Sequence, residues 1–383
     1  MKLVWKILSY IAVATLASAV SVAMCTMEPM FQTCKLDQLA SIIENQFIGE
    51  ADMRKAKDAA ATAMVDSLGD RWSYYMSAED YIAHLEQVNN AYVGIGVTIV
   101  GAEDGSGVEI LKVESNGPAA DAGIQVGDLI VGVEGQDAAG LSTTELRELV
   151  RGEEGTFVLL TVKRDGEVFD LSVERRTVET AVATGVMLDG NVGLVTITNF
   201  DSRCASESIA AIEDLIAQGA QALVFDVRNN PGGYKDELVQ LLDYLLPEGD
   251  LFHSEDYSGK TEVDVSDAAC LEMPMAVLVN EDSYSAAEFF AAALAEYDWA
   301  TVVGTQTVGK GYFQVTYMLM DGSAVGLSIG KYTTPKGVSL QEVGITPELV
   351  VEVDDATYYM IYAGMLDPGE DPQIQAAVAA ILP

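Results

Sequence analysis

The spacing of apolar residues changes character three times along this 383-residue chain, and each change marks a different kind of element. Behind Lys2 and Lys6, an unbroken apolar run extends from about Ile7 to Met24. Over 36–88, apolar residues such as Leu39, Ile42, Ile43 and Phe47 recur at helical spacing and alanine is frequent further on, which predicts helix. Leu68-Gly69-Asp70-Arg71-Trp72-Ser73-Tyr74-Tyr75 interrupts it with a turn, and Ser77-Ala78-Glu79-Asp80 carries the signal of a capped helix start. From Tyr92 the pattern shortens to alternating apolar runs bounded by glycine, the mark of strands. Strands are expected over 93–100, 109–113 and 128–133, short helices over 119–123 and 144–151, and a hairpin of 157–164 with 168–173 turning at Asp165-Gly166. Beyond 177, apolar runs at 192–197, 222–227, 276–279 and 301–304 are separated by helical stretches such as 205–218 and 235–246, with a closing helix over 374–382. Strands alternating with helices predict an α/β core.

This organisation divides the chain into a leader (1–26), a helical region (27–90), a β-rich unit (91–176), an α/β core (177–365) and a C-terminal helix (366–383). The leader has the basic start and apolar stretch of a secretory signal. Ala17-Ser18-Ala19 would suit cleavage, while the apolar run is just long enough to persist as a signal anchor spanning a bilayer. Cys25 adds a lipoprotein reading that Met24 fits poorly. All three place the bulk of the chain outside the cytoplasm, anchored to the membrane or secreted.

Charge narrows the partners. The chain has 21 Lys+Arg against 59 Asp+Glu, a net charge of −38, which repels phosphate backbones and argues against nucleic acid. The same charge disfavours anionic lipid surfaces. Four scattered cysteines (Cys25, Cys34, Cys204, Cys270) make no disulfide scaffold and no C-x-x-C pair. They are expected to be free, mostly buried thiols, although a Cys204–Cys270 pair is open. With two histidines far apart, His84 and His253, and no H-E-x-x-H, a zinc protease is excluded; no metal and no cofactor are expected.

Candidate chemistry gathers between Asn280 and Gln314. Ser285 sits where a strand gives way to a helix, and Lys310 follows 25 positions later (310 minus 285) between Gly309 and Gly311. A serine needs a base to become a nucleophile, and a lysine kept neutral by burial can be one. Ser285-Ala286-Ala287-Glu288 also fits a capping box, so Ser285 could merely cap its helix. The same position, beside free backbone N–H groups at a helix start, suits an oxyanion. Val308, Tyr312 and Phe313 offer Lys310 apolar cover, against the alternative of a lysine at the surface. Gln314, four positions on, could orient the lysine or face solvent. Upstream, an apolar strand runs into Asn229-Asn230-Pro231-Gly232-Gly233, where Gly232 or Gly233 could supply a second oxyanion donor or form an ordinary turn. Gly304-x-x-x-x-Gly309-Lys310 imitates a phosphate-binding loop, but Gly311 stands where Ser or Thr must hold magnesium.

Taken in order, these segments resemble the C-terminal processing peptidases, tail-specific serine proteases with a Ser–Lys centre. Tyr92-x-Gly94-Ile95-Gly96-Val97 is similar to the carboxylate-binding loop of a PDZ domain, and Gly117-Pro118-Ala119-Ala120 through Gly127-Asp128 to the rest of one. Asp226-x-Arg228-x-Asn230-Pro231-Gly232-Gly233, Ser285-Ala286-x-Glu288, Gly309-Lys310-Gly311 with Gln314, and Gly344-Ile345-Thr346-Pro347 match the family's later blocks. The resemblance implies a multidomain α/β (α+β) chain: an N-terminal helical segment, a PDZ-like β-rich domain and an α/β serine protease core. It implies Ser285 as nucleophile, Lys310 as general base, Gln314 as its orienting partner, and Gly232 and Ala286 as oxyanion donors. Substrate C-termini would bind Gly94, Ile95, Gly96 and Val97, with the last apolar side chain against Leu146, Leu149 and Val150. The implied partners are protein substrates with free, apolar C-termini, with a homo-oligomer left open. A catalytically inactive PDZ scaffold is the alternative, and a Ser–His protease would depend on His84 or His253. Tyr284, Ala287 and Glu296 depart from the family's usual residues, so the role of Glu296 is open.

Overall fold

The computed structural model describes residues 35–102, 104–114 and 116–382. The leader, with its anchor, cleavage and lipoprotein readings, and Cys25 and Cys34 lie outside the described residues. Among the described residues no helix is long and apolar enough to cross a membrane, and Cys204 and Cys270 are free thiols.

The helical stretch after the leader is three helices rather than two. Lys35–Gln46 is followed by Met53–Asp66, restarted by Asp52, whose side chain accepts from the Arg54 and Lys55 N–H groups. Ala78–Val88 begins at Ser77, which accepts from the Asp80 N–H, as its capping signal predicts. Between them the turn at Asp70 leads into an unanticipated strand, Tyr74–Met76, which pairs antiparallel with Ala324–Gly326 far along the chain.

The β-rich unit is an antiparallel sheet in the order Val97–Gly101, Val108–Val113, Leu129–Val133, Phe157–Arg164, Glu167–Glu174. Its last hairpin turns through Asp165 and Gly166, both at positive φ (50° and 88°), as an Asp-Gly two-residue turn requires. The helix Thr143–Val150 closes the core over Ile110, Ile130 and Leu160, all fully buried. The single strand expected over 93–100 is in fact two. Ala91–Gly94 pairs with Arg176–Glu179, and Val97–Gly101 with Val108–Val113. Gly96, at φ 78°, turns the chain from one sheet into the other, a conformation glycine adopts without strain.

The core sheet runs Ala183–Leu188, Val192–Ile197, Ala222–Asp226, Met275–Val279, Ala300–Gly304, Leu349–Val350. All of its neighbours are parallel except the first pair. Its central strands are nearly continuous apolar runs, Met275–Val279 without a break, because both faces are covered. Leu223, Phe225 and Val277 pack under Cys204–Gln218, Lys235–Leu245 and Ala286–Glu296, whereas Val224, Ala276 and Leu278 meet Pro372–Ile381 on the other face. Phe289 and Phe290 of the buried helix make edge contacts with Phe252 and Phe225 at 5.0 and 5.3 Å, each ring contributing about 1.5–3 kcal/mol by burial. A further sheet, absent from the sequence reading, joins Gly249–Asp256, Thr261–Ser266, Tyr312–Met318 and Ala324–Thr333 to the early Tyr74–Met76.

Candidate active site

The loops that follow the parallel strands converge at their C-terminal ends, where ligands bind in open α/β sheets. Ser285 follows Met275–Val279, the glycine loop follows Ala222–Asp226, and Lys310 follows Ala300–Gly304. Ser285 is the residue before the helix Ala286–Glu296 and holds φ 58°, ψ −124°, a strained conformation costing on the order of 1–3 kcal/mol. It has the placement of a capping-box serine, yet its hydroxyl closes no cap hydrogen bond. Of the two capping-box contacts, the one that meets hydrogen-bond geometry is the reverse half, from the Ser285 N–H to Glu288 Oε2 at 3.0 Å. The hydroxyl is thus left for other work, at the positive end of a helix.

Glu288, read from sequence only as half of that cap, organises the site. It is fully buried and accepts four hydrogen bonds. Oε2 takes the N–H groups of Ser285 (3.0 Å) and Lys310 (2.9 Å); Oε1 takes Thr307 Oγ1 (2.5 Å) and the Gly309 N–H (2.7 Å). One carboxylate therefore ties the serine turn to the lysine loop. Gly309 and Gly311 let that loop lie flat on its neighbour: a Cβ would meet Val343 N at 2.8 Å from Gly309 and Gln341 N at 2.8 Å from Gly311.

The Lys310 amine lies 4.9 Å from the ring centre of Trp72 and 5.7 Å from that of Tyr284. Burial pulls its pKa down to about 8, against the opposing pull of the Asp70 and Glu288 charges. Among the described residues no hydrogen bond joins Lys310 to Ser285 or to Gln314. The Gln314 amide nitrogen donates instead to Tyr312 O (3.1 Å) and Ser328 Oγ (3.0 Å), leaving its carbonyl oxygen as an acceptor.

The glycine loop presses on the serine turn. A Cβ at Gly232 would lie 2.7 Å from Ser285 Cβ and 2.8 Å from Ala286 N. The Gly232 N–H, expected as an oxyanion donor, is given to Asn230 Oδ1 at 2.8 Å. Among the described residues the Gly233 and Ala286 N–H groups make no hydrogen bond, so Gly233 is the loop donor that stands free in this conformation. Glu296 is remote. It ends the helix roughly 16 Å along the axis from Ser285 and accepts from Thr334 Oγ1 (2.6 Å) and the Lys336 N–H (2.7 Å), which fixes a loop. His84 packs against the Tyr74 and Tyr81 rings, and His253 against Asp250; neither contacts Ser285.

In the β-rich unit a groove of about 380 Å³ runs between Gly94–Val97 and the helix Thr143–Val150. Leu146 and Val150 line it one turn apart, but Leu149 does not and packs against the neighbouring core. Helical geometry separates them: at about 100° per residue, 146, 147, 150 and 151 gather on one side of the helix and 149 falls on the other. Arg147 and Arg151 stand at the groove, two cations in a chain of net charge −38. Their spacing, 147 and 151 alternating with 146 and 150, was the signal available in the sequence.

Comparison with known proteins bears on both regions. A model of peptidase family S41 matches residues 191–351 and one of the PDZ domain matches 109–164. The carboxy-terminal processing protease CtpA of Bacillus subtilis is 33% identical over 324 residues, covering 84% of this chain and 69% of that protein. A CtpA-like serine protease of Staphylococcus epidermidis is 31% identical over 321 residues, 83% of this chain and 65% of its own length. The chain thus spans about two thirds of these curated relatives. A solved structure assigned to the S41 proteases, from Bacteroides fragilis, superposes with TM-score 0.56 at 18% identity, over 90% of this chain and 98% of that one, a likeness of fold. With a PDZ domain ahead of an α/β core, this chain belongs to peptidase family S41.

Proposed function

We propose that the chain is a serine endopeptidase that takes hold of protein C-termini in its PDZ groove and cuts upstream through a Ser285–Lys310 acyl-enzyme mechanism. The observation that carries this reading is the half-buried Lys310 amine, set against the Trp72 and Tyr284 rings on a loop fastened, through Glu288, to the turn that bears Ser285. The neutral amine takes the Ser285 proton as Oγ attacks the scissile carbonyl. The oxyanion receives the Ala286 N–H and a glycine-loop N–H, Gly233 as it stands or Gly232 once released from Asn230. The resulting ammonium returns its proton to the leaving amine. Water, deprotonated by the same lysine, then frees the acyl group. The Gln314 carbonyl oxygen orients the amine. In the groove the substrate carboxylate meets the Gly94–Val97 backbone and Arg147 and Arg151, and its last apolar side chain meets Leu146 and Val150. The leader supports work outside the cytoplasm.

An unstructured reporter with an apolar C-terminus tests this. The chain is expected to cut it, Ser285→Ala to bind it without cutting, and amidation of its C-terminus to lower kcat/KM at least tenfold. Cutting by Ser285→Ala contradicts the nucleophile; indifference to amidation contradicts tail recognition. Gly232→Ala is expected to cost about 100-fold in kcat, because Gly232 holds φ 86° and a methyl group there strikes the serine turn. Steady-state kinetics of the variant checks it, and kcat within threefold would contradict the tight loop contact.

A further inference from the structure

We propose that Trp72, backed by Tyr284, is a positioning residue of the active centre: it closes over the Lys310 amine and keeps water from it. The inference rests on the Ser285–Lys310 reading and adds to it a part supplied by the segment ahead of the PDZ domain. The two rings stack with centres 6.0 Å apart at 28°, and the amine lies against both. The turn that carries Trp72 is held from several directions. The Trp72 backbone N–H donates to Asp70 Oδ1 (3.2 Å), Ser73 Oγ donates to Asp70 Oδ2 (2.6 Å), and the Ser328 N–H donates to Ser73 Oγ (3.0 Å). The next residues pair with Ala324–Gly326, and Tyr74 hydroxyl meets Thr316 Oγ1 at 2.9 Å. The strands that follow Lys310 thus grip the segment that carries Trp72.

The indole N–H of Trp72 is buried without a hydrogen-bond partner. Buried polar groups are nearly always satisfied, and a ring serving only as packing would be better replaced by one with no N–H. Its placement over the amine gives the ring a reason to be there. Two effects of the rings oppose each other. Their faces attract an ammonium, whereas excluding water disfavours it. The amine sits at about 8, below its ordinary 10.5, so exclusion is the larger effect. The charged groups around it push the other way: Asp70 from the preceding turn and Glu288 from the helix Ala286–Glu296 both favour the ammonium. Arg71 lies over the Trp72 ring, Tyr284 faces Asp282 and Asp201, and the Glu342 backbone packs at Gly309 with the residue itself exposed.

The test is the pH profile of kcat/KM between pH 6 and 10 on the reporter, for the full chain, Trp72→Phe, Trp72→Ala and Ser285→Ala. Trp72→Phe keeps a ring and is expected to keep the acid limb near 8. Trp72→Ala is expected to move the limb alkaline by a unit or more, so that activity falls at least about tenfold at pH 7 and returns by pH 10. A structural role alone would lower activity equally at every pH, and that result, or an unmoved limb, overturns the proposal. Thermal unfolding certifies each variant; if Trp72→Ala does not fold, Trp72→Gln admits water in the same way and carries the same expectation. An unmoved limb with Ser285→Ala inactive sinks the aromatic cover alone, whereas cutting by Ser285→Ala sinks the Ser–Lys reading itself.

Discussion

Lys310→Ala is expected to lower kcat/KM at pH 7 by at least about 1000-fold, Ser285→Ala by as much, and the double variant by no more than either alone. Residues that act as one unit lose their joint contribution when either is removed, so this non-additivity separates a working pair from two independent structural defects. The pH dependence of the unaltered chain carries the same information. An amine with its pKa near 8 is about one tenth neutral at pH 7, and the neutral form is the base. Activity should therefore rise about tenfold per pH unit below 8 and level off above it. The sign follows from burial: taking the amine out of water penalises the ammonium, which outweighs the attraction of Asp70 and Glu288. Steady-state kinetics from pH 6 to 10 checks both statements. A flat profile, or additive losses in the double variant, would break the pairing.

Glu288→Gln is the second large effect. The carboxylate faces four donors and nothing else. An amide would turn its NH2 toward two of them, leaving two buried donors without partners at about 1–3 kcal/mol each. The chain is expected to fold with a melting temperature lowered by several degrees, and kcat/KM to fall at least 100-fold, because the serine turn and the lysine loop lose their common anchor. Glu288→Asp, one methylene shorter, cannot reach both segments and should behave similarly. Activity within tenfold of the unaltered chain in Glu288→Gln would show that the clasp does not set the geometry.

What could be read from sequence depended on how local its physics was. The central strands were legible because runs such as Leu223-Val224-Phe225 are apolar on both faces, and the Asp165-Gly166 hairpin because its turn chemistry lies in two adjacent residues. The further sheet was not. In Thr261–Ser266, Val263 and Val265 alternate with Glu262 and Asp264 and stay exposed, so no apolar run announces an edge strand. Tyr74–Met76 finds its partner only at Ala324–Gly326. The same limit applies at the site. Ser285 and Lys310 stood out by residue type and surroundings, but Glu288 showed only its local cap, since Thr307, Gly309 and Lys310 come from another loop. Trp72 gave no sign that it would meet Lys310 across the fold, and the Asn230 side chain that occupies the Gly232 N–H could be seen only in three dimensions.

Acyl transfer to one hydroxyl is best caught directly, by mixing the full chain with a short peptide ester and following intact mass and the mapped site of the adduct. One acyl group should appear, on Ser285, at a rate that rises about tenfold per pH unit up to about 8 and collapses in Lys310→Ala. An adduct on another residue, or an undiminished rate without Lys310, would contradict a serine activated by a neutral lysine.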